Sequence, residues 1–226
     1  MSAKAQLRAN KKMSNSYQIT DKLFHNWFEL LQNFDISPTS TKQTFNQIVE
    51  SYSNPNRFYH NLEHIKYVLE VIESLEIQTK YLETTTVQFA AWFHDIVYDT
   101  KAKDNEQKSA EYAVEDLSSL SIPSDVIKNV KKLILQTKNH YASNTDFDAQ
   151  ILLDADLAIL GSNPAKYCKY TQAIRQEYIW VPDTEYFAAR KKILETFLQR
   201  DNIYFTQFMQ ETKEKIARNN IETEIG

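Results

Sequence analysis

The chain has 226 residues, 42% of them hydrophobic and 25% charged, which suits one globular domain with a sizeable core. Its net charge of −4 leaves no footprint for nucleic acid, although a metal could still supply positive charge for a small phosphate-bearing substrate. Two glycines, where average usage gives roughly sixteen, argue against tight β-hairpins and phosphate-cradling glycine loops, and a single cysteine excludes an internal disulfide.

Residues 1–16 carry Lys4, Arg8, Lys11 and Lys12 without the apolar run of a secretory signal. They read as a disordered basic leader ahead of a single domain over 17–220. From 17 to 33, Leu23, Trp27, Leu30 and Leu31 recur at helical spacing. Ser37-Pro38-Thr39 breaks that run, and Phe45, Ile48 and Val49 face inward from a helix ending near 51. Asn54-Pro55-Asn56 is a turn signal. Ile65, Val68, Leu69, Ile72 and Leu75 then form an apolar stripe. The segment 86–93 is apolar nearly all round, as a central helix should be. Asp104 can cap a helix to about 120, and Pro123 starts another, with Val126, Ile127, Val130, Leu133 and Ile134 inside. The segment 151–160 is again apolar on every side. Asn163-Pro164, Pro182-Asp183 and Asp201-Asn202 mark three further helix starts. No repeat, low-complexity tract or membrane-length apolar run interrupts this all-α pattern. Cys168 has no nearby histidine, so a packing role in a reducing cytosol is expected.

Three segments place polar side chains where apolar sequence makes them costly. The first is Tyr59-His60-Asn61-Leu62-Glu63-His64. On a helix His60 and His64 share one face, where both can bind a metal, or one can bind it while the other serves as an acid. Taken alone, the pair also fits two satisfied boundary histidines. The second is Phe93-His94-Asp95, at the end of the central apolar run. A carboxylate there is almost never buried unpaired. The third is Leu153-Asp154-Ala155-Asp156-Leu157, where at least one carboxylate must face something polar. Together the segments offer two histidines and two carboxylates, a set suited to a divalent ion.

The order His, then His-Asp, then a distant Asp resembles the HD superfamily of metal-dependent phosphohydrolases. Within it, the chain is similar to a small branch of predicted phosphohydrolases marked by Tyr-His-Asn-x-x-His, Phe-His-Asp-x-x-Tyr, Asn-Glu-x-x-Ser-Ala and Asp-x-Asp-Leu-x-x-Leu-Gly. Here these are Tyr59 to His64, Phe93 to Tyr98, Asn105 to Ala110 and Asp154 to Gly161. The resemblance covers roughly 17–200 and implies an all-α HD-domain bundle with a metal between its central helices. Tyr-His-Asn-x-x-His also resembles the start of the cyclic nucleotide phosphodiesterase domain, but no His-x-Gly-x-x-Asn segment follows. By that resemblance His64 is a ligand and His60 the general acid. The family's final Asp follows Ala and precedes Leu, which selects Asp156 over Asp154.

The resemblance therefore implies metal ligands His64, His94, Asp95 and Asp156, with His60, Asp95 and Glu106 as catalytic groups. His140 is placed in sequence to bind a second ion, or is an exposed helix-terminal histidine. Asn105, Glu106 and Asp154 are further candidates for a second metal or for substrate. Arg57, Lys138, Arg175, Tyr178 and Arg190 are candidates to hold phosphate oxygens. The expected cofactor is a divalent ion among Mn, Fe, Co, Ni, Zn and Mg, with imidazole favouring the transition metals. The expected reaction is hydrolysis of a small phosphoester, a nucleotide or related phosphometabolite, without nucleic-acid or membrane partners. The alternatives are a metal-binding regulatory module without turnover and a di-iron oxygenase of the HD fold.

Overall fold

The apolar run before His94 has no polar face to turn outward, so neighbouring helices must cover it on all sides. In the computed structural model, residues 3–79 and 84–226 are described, with side chains for 17–79 and 84–226. The protein is all-α: the described residues form ten α-helices and no strand. These are α1 (Ala3–Leu31), α2 (Pro38–Tyr52), α3 (Leu62–Thr79), α4 (Thr85–Phe93) and α5 (Asn105–Ser119), followed by α6 (Ser124–Thr137), α7 (Phe147–Asp156), α8 (Pro164–Glu177), α9 (Asp183–Leu198) and α10 (Gln207–Ile225). The leader expected over 1–16 lies outside the residues whose side chains are described. Among the described residues, no helix is long and apolar enough to cross a membrane.

The short α4 packs against α3, α5, α6 and α7. Trp27 of α1 meets Trp92 edge-on at 5.4 Å, Phe89 at 5.9 Å and Phe93 at 6.0 Å between ring centroids. Fully burying one such phenylalanine contributes about 1.5–3 kcal/mol. The Tyr52 hydroxyl donates to the Trp92 carbonyl at 3.0 Å and ties α2 to the end of α4.

Turn chemistry starts several helices where the sequence places it. Ser37 accepts from the Ser40 amide, and Asn163 accepts from the Lys166 amide, each ahead of a first-turn proline. Asp104 makes no such capping bond; its carboxylate pairs with Lys108 at 3.1 Å. The last helix begins later than Asp201-Asn202 predicts, at Gln207, capped by Thr206. The intervening segment is held by two carboxylates. Glu214 accepts from the Ile203 and Tyr204 amides, and Asp154 from the Phe205 and Thr206 amides. Gly161 is needed where the chain passes α10, since a Cβ there would lie 2.7 Å from Lys213 Cβ. Cys168 is exposed, which corrects its expected packing role: it lies on the solvent side of α8.

Asp116 is an unfavourable residue in this frame. It sits in the last turn of α5, where a negative charge opposes the helix dipole, and its Oδ2 is buried without a partner. Burial pushes its carboxyl up to about 6. The unfolded chain releases this proton near the ordinary value, so folding stability falls as pH rises from about 4 to about 6. Asp116→Asn should therefore stabilise the protein at pH 7.5 by about 1 kcal/mol, once partial exposure is allowed for. The gain should vanish at pH 4, and melting temperatures of both proteins at both pH values check it.

Candidate metal centre

Three of the four predicted ligands, His64, His94 and Asp156, form one compact group because three mutually packed helices carry them, and Asp95 adjoins it. His64 lies in the first turn of α3, His94 caps the C-terminus of α4 with Asp95 after it, and Asp156 is the last residue of α7. His64 Nε2 is 3.1 Å from His94 Nε2 and 3.4 Å from Asp156 Oδ1. His94 Nε2 is 3.6 Å from Asp156 Oδ1. Asp95 Oδ2 adjoins both rings, 3.2 Å from His94 and 3.6 Å from His64. An ion with ligands at about 2.1 Å holds neighbouring donor atoms about 3.0 Å apart in octahedral and about 3.4 Å apart in tetrahedral geometry. The observed spacings of 3.1–3.6 Å lie close to those values.

The ring orientations fit the same reading. His94 Nδ1 donates to the Ala91 carbonyl at 2.9 Å, so its Nε2 presents a lone pair to the cluster when the ring is neutral. His64 is buried, and its Nδ1 has no partner. Burial lowers the His64 pKa, and His94 beside it adds to the effect. Burial also opposes charge on His94, but the Asp95 and Asp156 carboxylates outweigh it and raise that pKa well above the ordinary value. Asp95 and Asp156 are held well below the usual carboxylate range against burial. His94 and His60 act on Asp95; hydrogen bonds from His140, His64 and His94 act on Asp156. Two ionised carboxylates facing two imidazole nitrogens are a donor set that a divalent cation satisfies together.

His60 is not helical, which corrects the expected one-face pairing with His64. The chain turns through 57–61, and α3 starts only at Leu62, with the Asn61 side chain accepting from the Glu63 amide. Glu177 holds this turn. Its Oε1 accepts from the Phe58, Tyr59 and His60 amides at 2.7–3.0 Å. Its Oε2 lies 2.7 Å from His60 Nδ1 and accepts the Tyr98 hydroxyl at 3.0 Å. The Tyr98 ring stacks on His60, and His60 Nε2 is left 4.0 Å from Asp95 Oδ2. Burial opposes protonation of His60, but Asp95 and Glu177 outweigh it and raise its pKa.

The sequence reading passed over Glu177. A signal existed: Tyr167, Tyr170, Ile174 and Glu177 share one face of α8, so an acid stands at the end of a largely apolar stripe. What it binds lies well over a hundred residues away in the chain.

His140 joins the cluster from the other side. It leaves α6 with a positive φ of 46°, and its Nε2 lies 3.2 Å from Asp156 Oδ2. Arg200 fixes it by donating to its carbonyl at 2.8 Å. Glu106 does not join: it pairs with Lys138 at 3.8 Å, and no bond links it to the four ligands. Lys138 also donates to the Lys103 carbonyl.

Other candidates prove to be fasteners of the ligand-bearing loops. Asn105 bonds the Asp99 backbone in both directions, and Ser109 does the same to Val97, so both secure the loop after Asp95. Arg57 donates to the carbonyls of His60, Asp95 and Ile96 at 2.6–3.1 Å. Arg175 is taken by Asp183 and by the Tyr178 and Val181 carbonyls, and Arg190 by Glu224 and Tyr170. Those guanidinium groups are committed to the chain, which corrects their expected role as phosphate holders. Tyr178 packs its ring against Tyr186, and its hydroxyl pairs with that of Tyr98.

Asp154 is likewise corrected. Residues two apart on a helix point about 200° apart, so Asp154 turns away when Asp156 faces the cluster. Asp154 is fully buried and accepts from Phe205 N, Thr206 N and Thr206 Oγ1 at 2.7–2.8 Å. Asp154→Ala strands these donors and should cost about 3 kcal/mol, lowering the melting temperature by about 6–12 °C. Calorimetry checks it; an unchanged melting temperature would mean the clamp contributes nothing.

No family model matches this chain, and neither the curated proteins nor the solved structures contain a match to it.

Proposed function

We propose that the protein is a metal-dependent phosphohydrolase that cleaves a small phosphoester. The observation that carries this reading is the convergence of His64, His94 and Asp156 within ion-binding distance, with Asp95 against both imidazoles and the edge of His60 beside them. The order of these residues along the chain, which resembles the HD superfamily, supports it independently.

A divalent ion bound there polarises a phosphoryl oxygen and lowers the pKa of a bound water. The protein's own groups divide the remaining work. Glu177 accepts a hydrogen bond from His60 Nδ1–H, which fixes the ring and favours the imidazolium whose Nε2–H would protonate the leaving oxygen. Asp95, between His60 and His94, is the carboxylate placed to accept a proton from water. Arg57 and Asn105 hold the loops carrying these groups, so that geometry is preset before substrate arrives. Lys138 is half exposed but is also engaged, by Glu106 and by the Lys103 carbonyl, so phosphate would have to displace those contacts to reach it.

His140 on Asp156 gives the oxygenase alternative one of its two extra ligands, but Glu106, the other, is paired with Lys138. The deciding experiment is a hydrolysis screen of nucleotides, phosphosugars and nitrophenyl phosphate with Mn, Fe, Co, Ni, Zn and Mg. Hydrolysis that needs added metal and stops with EDTA is expected. Metal uptake without turnover on any substrate supports the regulatory module; oxygen consumption by reduced iron-loaded protein supports the oxygenase.

A further inference from the structure

On the far side of His64 from the cluster, α1, α3 and α8 enclose a cavity of about 600 Å³. His64 forms part of its wall, but His60, Asp95, His140 and Asp156 do not, so it is a separate space. Its charge runs against that of the protein: Lys22, Lys66, Lys166 and Lys169 line it with only Glu63 and Glu70 opposite, whereas the whole chain carries −4. Glu70 accounts for two of the lysines, lying 2.7 Å from Lys22 and 3.2 Å from Lys66. Lys166 and Lys169 have no ion-pair partner among the described residues.

Lys166, although exposed, is placed where an ammonium group is disfavoured. It lies in the first turn of α8, where the helix dipole disfavours a cation and favours an anion. Its Nζ stands 3.1 Å from the centroid of the Tyr67 ring, which compensates only partly. Burial lowers its pKa; Glu70 opposes that shift, while Lys213 and Lys66 press in the same direction as burial. Four aromatic rings, Phe58, Tyr59, Tyr67 and Tyr170, share the wall with a few small, amide and aliphatic side chains. Two of the lining residues carry buried polar atoms without partners, the Tyr59 hydroxyl and His64 Nδ1.

Unpaired ammonium groups beside tyrosine rings call for a ligand with both an anionic and a flat aromatic part. We infer that this cavity is a second ligand site, for a small phosphorylated aromatic molecule of the nucleotide class, with its phosphate on Lys166 and Lys169 and its ring against Tyr67 and Tyr170. The inference stands apart from hydrolysis, since none of the proposed catalytic groups outside His64 touches the space.

The test is calorimetric titration of the full-length protein in EDTA with AMP, adenosine and inorganic phosphate. EDTA removes metal, so binding does not depend on the proposed chemistry. AMP should bind at least about tenfold more tightly than adenosine or phosphate, because both halves of the site contribute. Lys166→Glu combined with Lys169→Glu, both at exposed positions, should weaken AMP by about a hundredfold or more. Ala173→Phe, which fills the cavity, should abolish binding, and Asp156→Asn should leave it unchanged. The inference is overturned if AMP fails to bind in EDTA, if it binds equally to both cavity variants, or if Asp156→Asn removes it. Failure here leaves the metal-dependent hydrolysis screen standing, and failure of that screen leaves this result standing.

Discussion

Asp156→Asn is expected to abolish metal retention and to lower phosphoester hydrolysis by about a thousandfold or more. Asp156 meets three histidines: Oδ1 faces His64 and His94, and Oδ2 faces His140. An amide keeps the shape but loses the negative charge that offsets the ion. The loss follows from several kcal/mol of transition-state stabilisation by the ion, at about 1.4 kcal/mol per tenfold in rate. Two measurements that do not rely on activity check the ligand role. Metal content after loading and dialysis should fall to background. Saturating metal at about 100 times Kd should raise the wild-type melting temperature by about 5–11 °C, from roughly 2.7 kcal/mol of binding linkage, and leave the variant unmoved. Full metal occupancy in the variant would remove Asp156 from the ligand set.

The second large effect is on His60. His60→Gln should retain metal, because Nε2 stands beside Asp95 at 4.0 Å rather than within the tight spacing of the four ligands. Turnover should fall about 10²–10⁴-fold on substrates with poor leaving groups, the usual cost of a lost general acid. Nitrophenyl phosphate, whose leaving group needs little protonation, should lose far less. Equal losses on both would move His60 from acid to substrate binding. Glu177 supplies a further readout. An acid must be protonated to work, so activity should decline as pH rises through the His60 pKa, which Asp95 and Glu177 raise against burial. Glu177→Gln removes part of that support, and the declining limb should move to lower pH. A limb that stays in place would show that Glu177 only holds the turn at 58–60.

The helical architecture was legible in the sequence because it follows from local spacing. Trp27 and Leu31, Ile65 and Leu69, and Phe89 and Phe93 recur at intervals that bury one side of a helix. Ser37 and Asn163 start helices through bonds three residues long, and such bonds are written in neighbouring residues. His64, His94, Asp95 and Asp156 were also legible, since each interrupts an apolar run that polar groups enter only when satisfied. What local pattern could not decide is which partner satisfies which polar group. Asp154 and Asp156 look alike in sequence, yet one clamps α10 and the other faces the histidines, because 200° of helix rotation separates them. Arg57 and Asn105 resembled ligands for substrate, and the fold spends them on carbonyls and amides of the loops they fasten. Glu177 went unnoticed because its bonds, to Phe58, Tyr59, His60 and Tyr98, exist only once α8 packs beside the turn before α3. Helices are set by periodicity within a few residues, whereas the pairing of buried polar groups is set by packing between distant segments, and only the tertiary structure decides it.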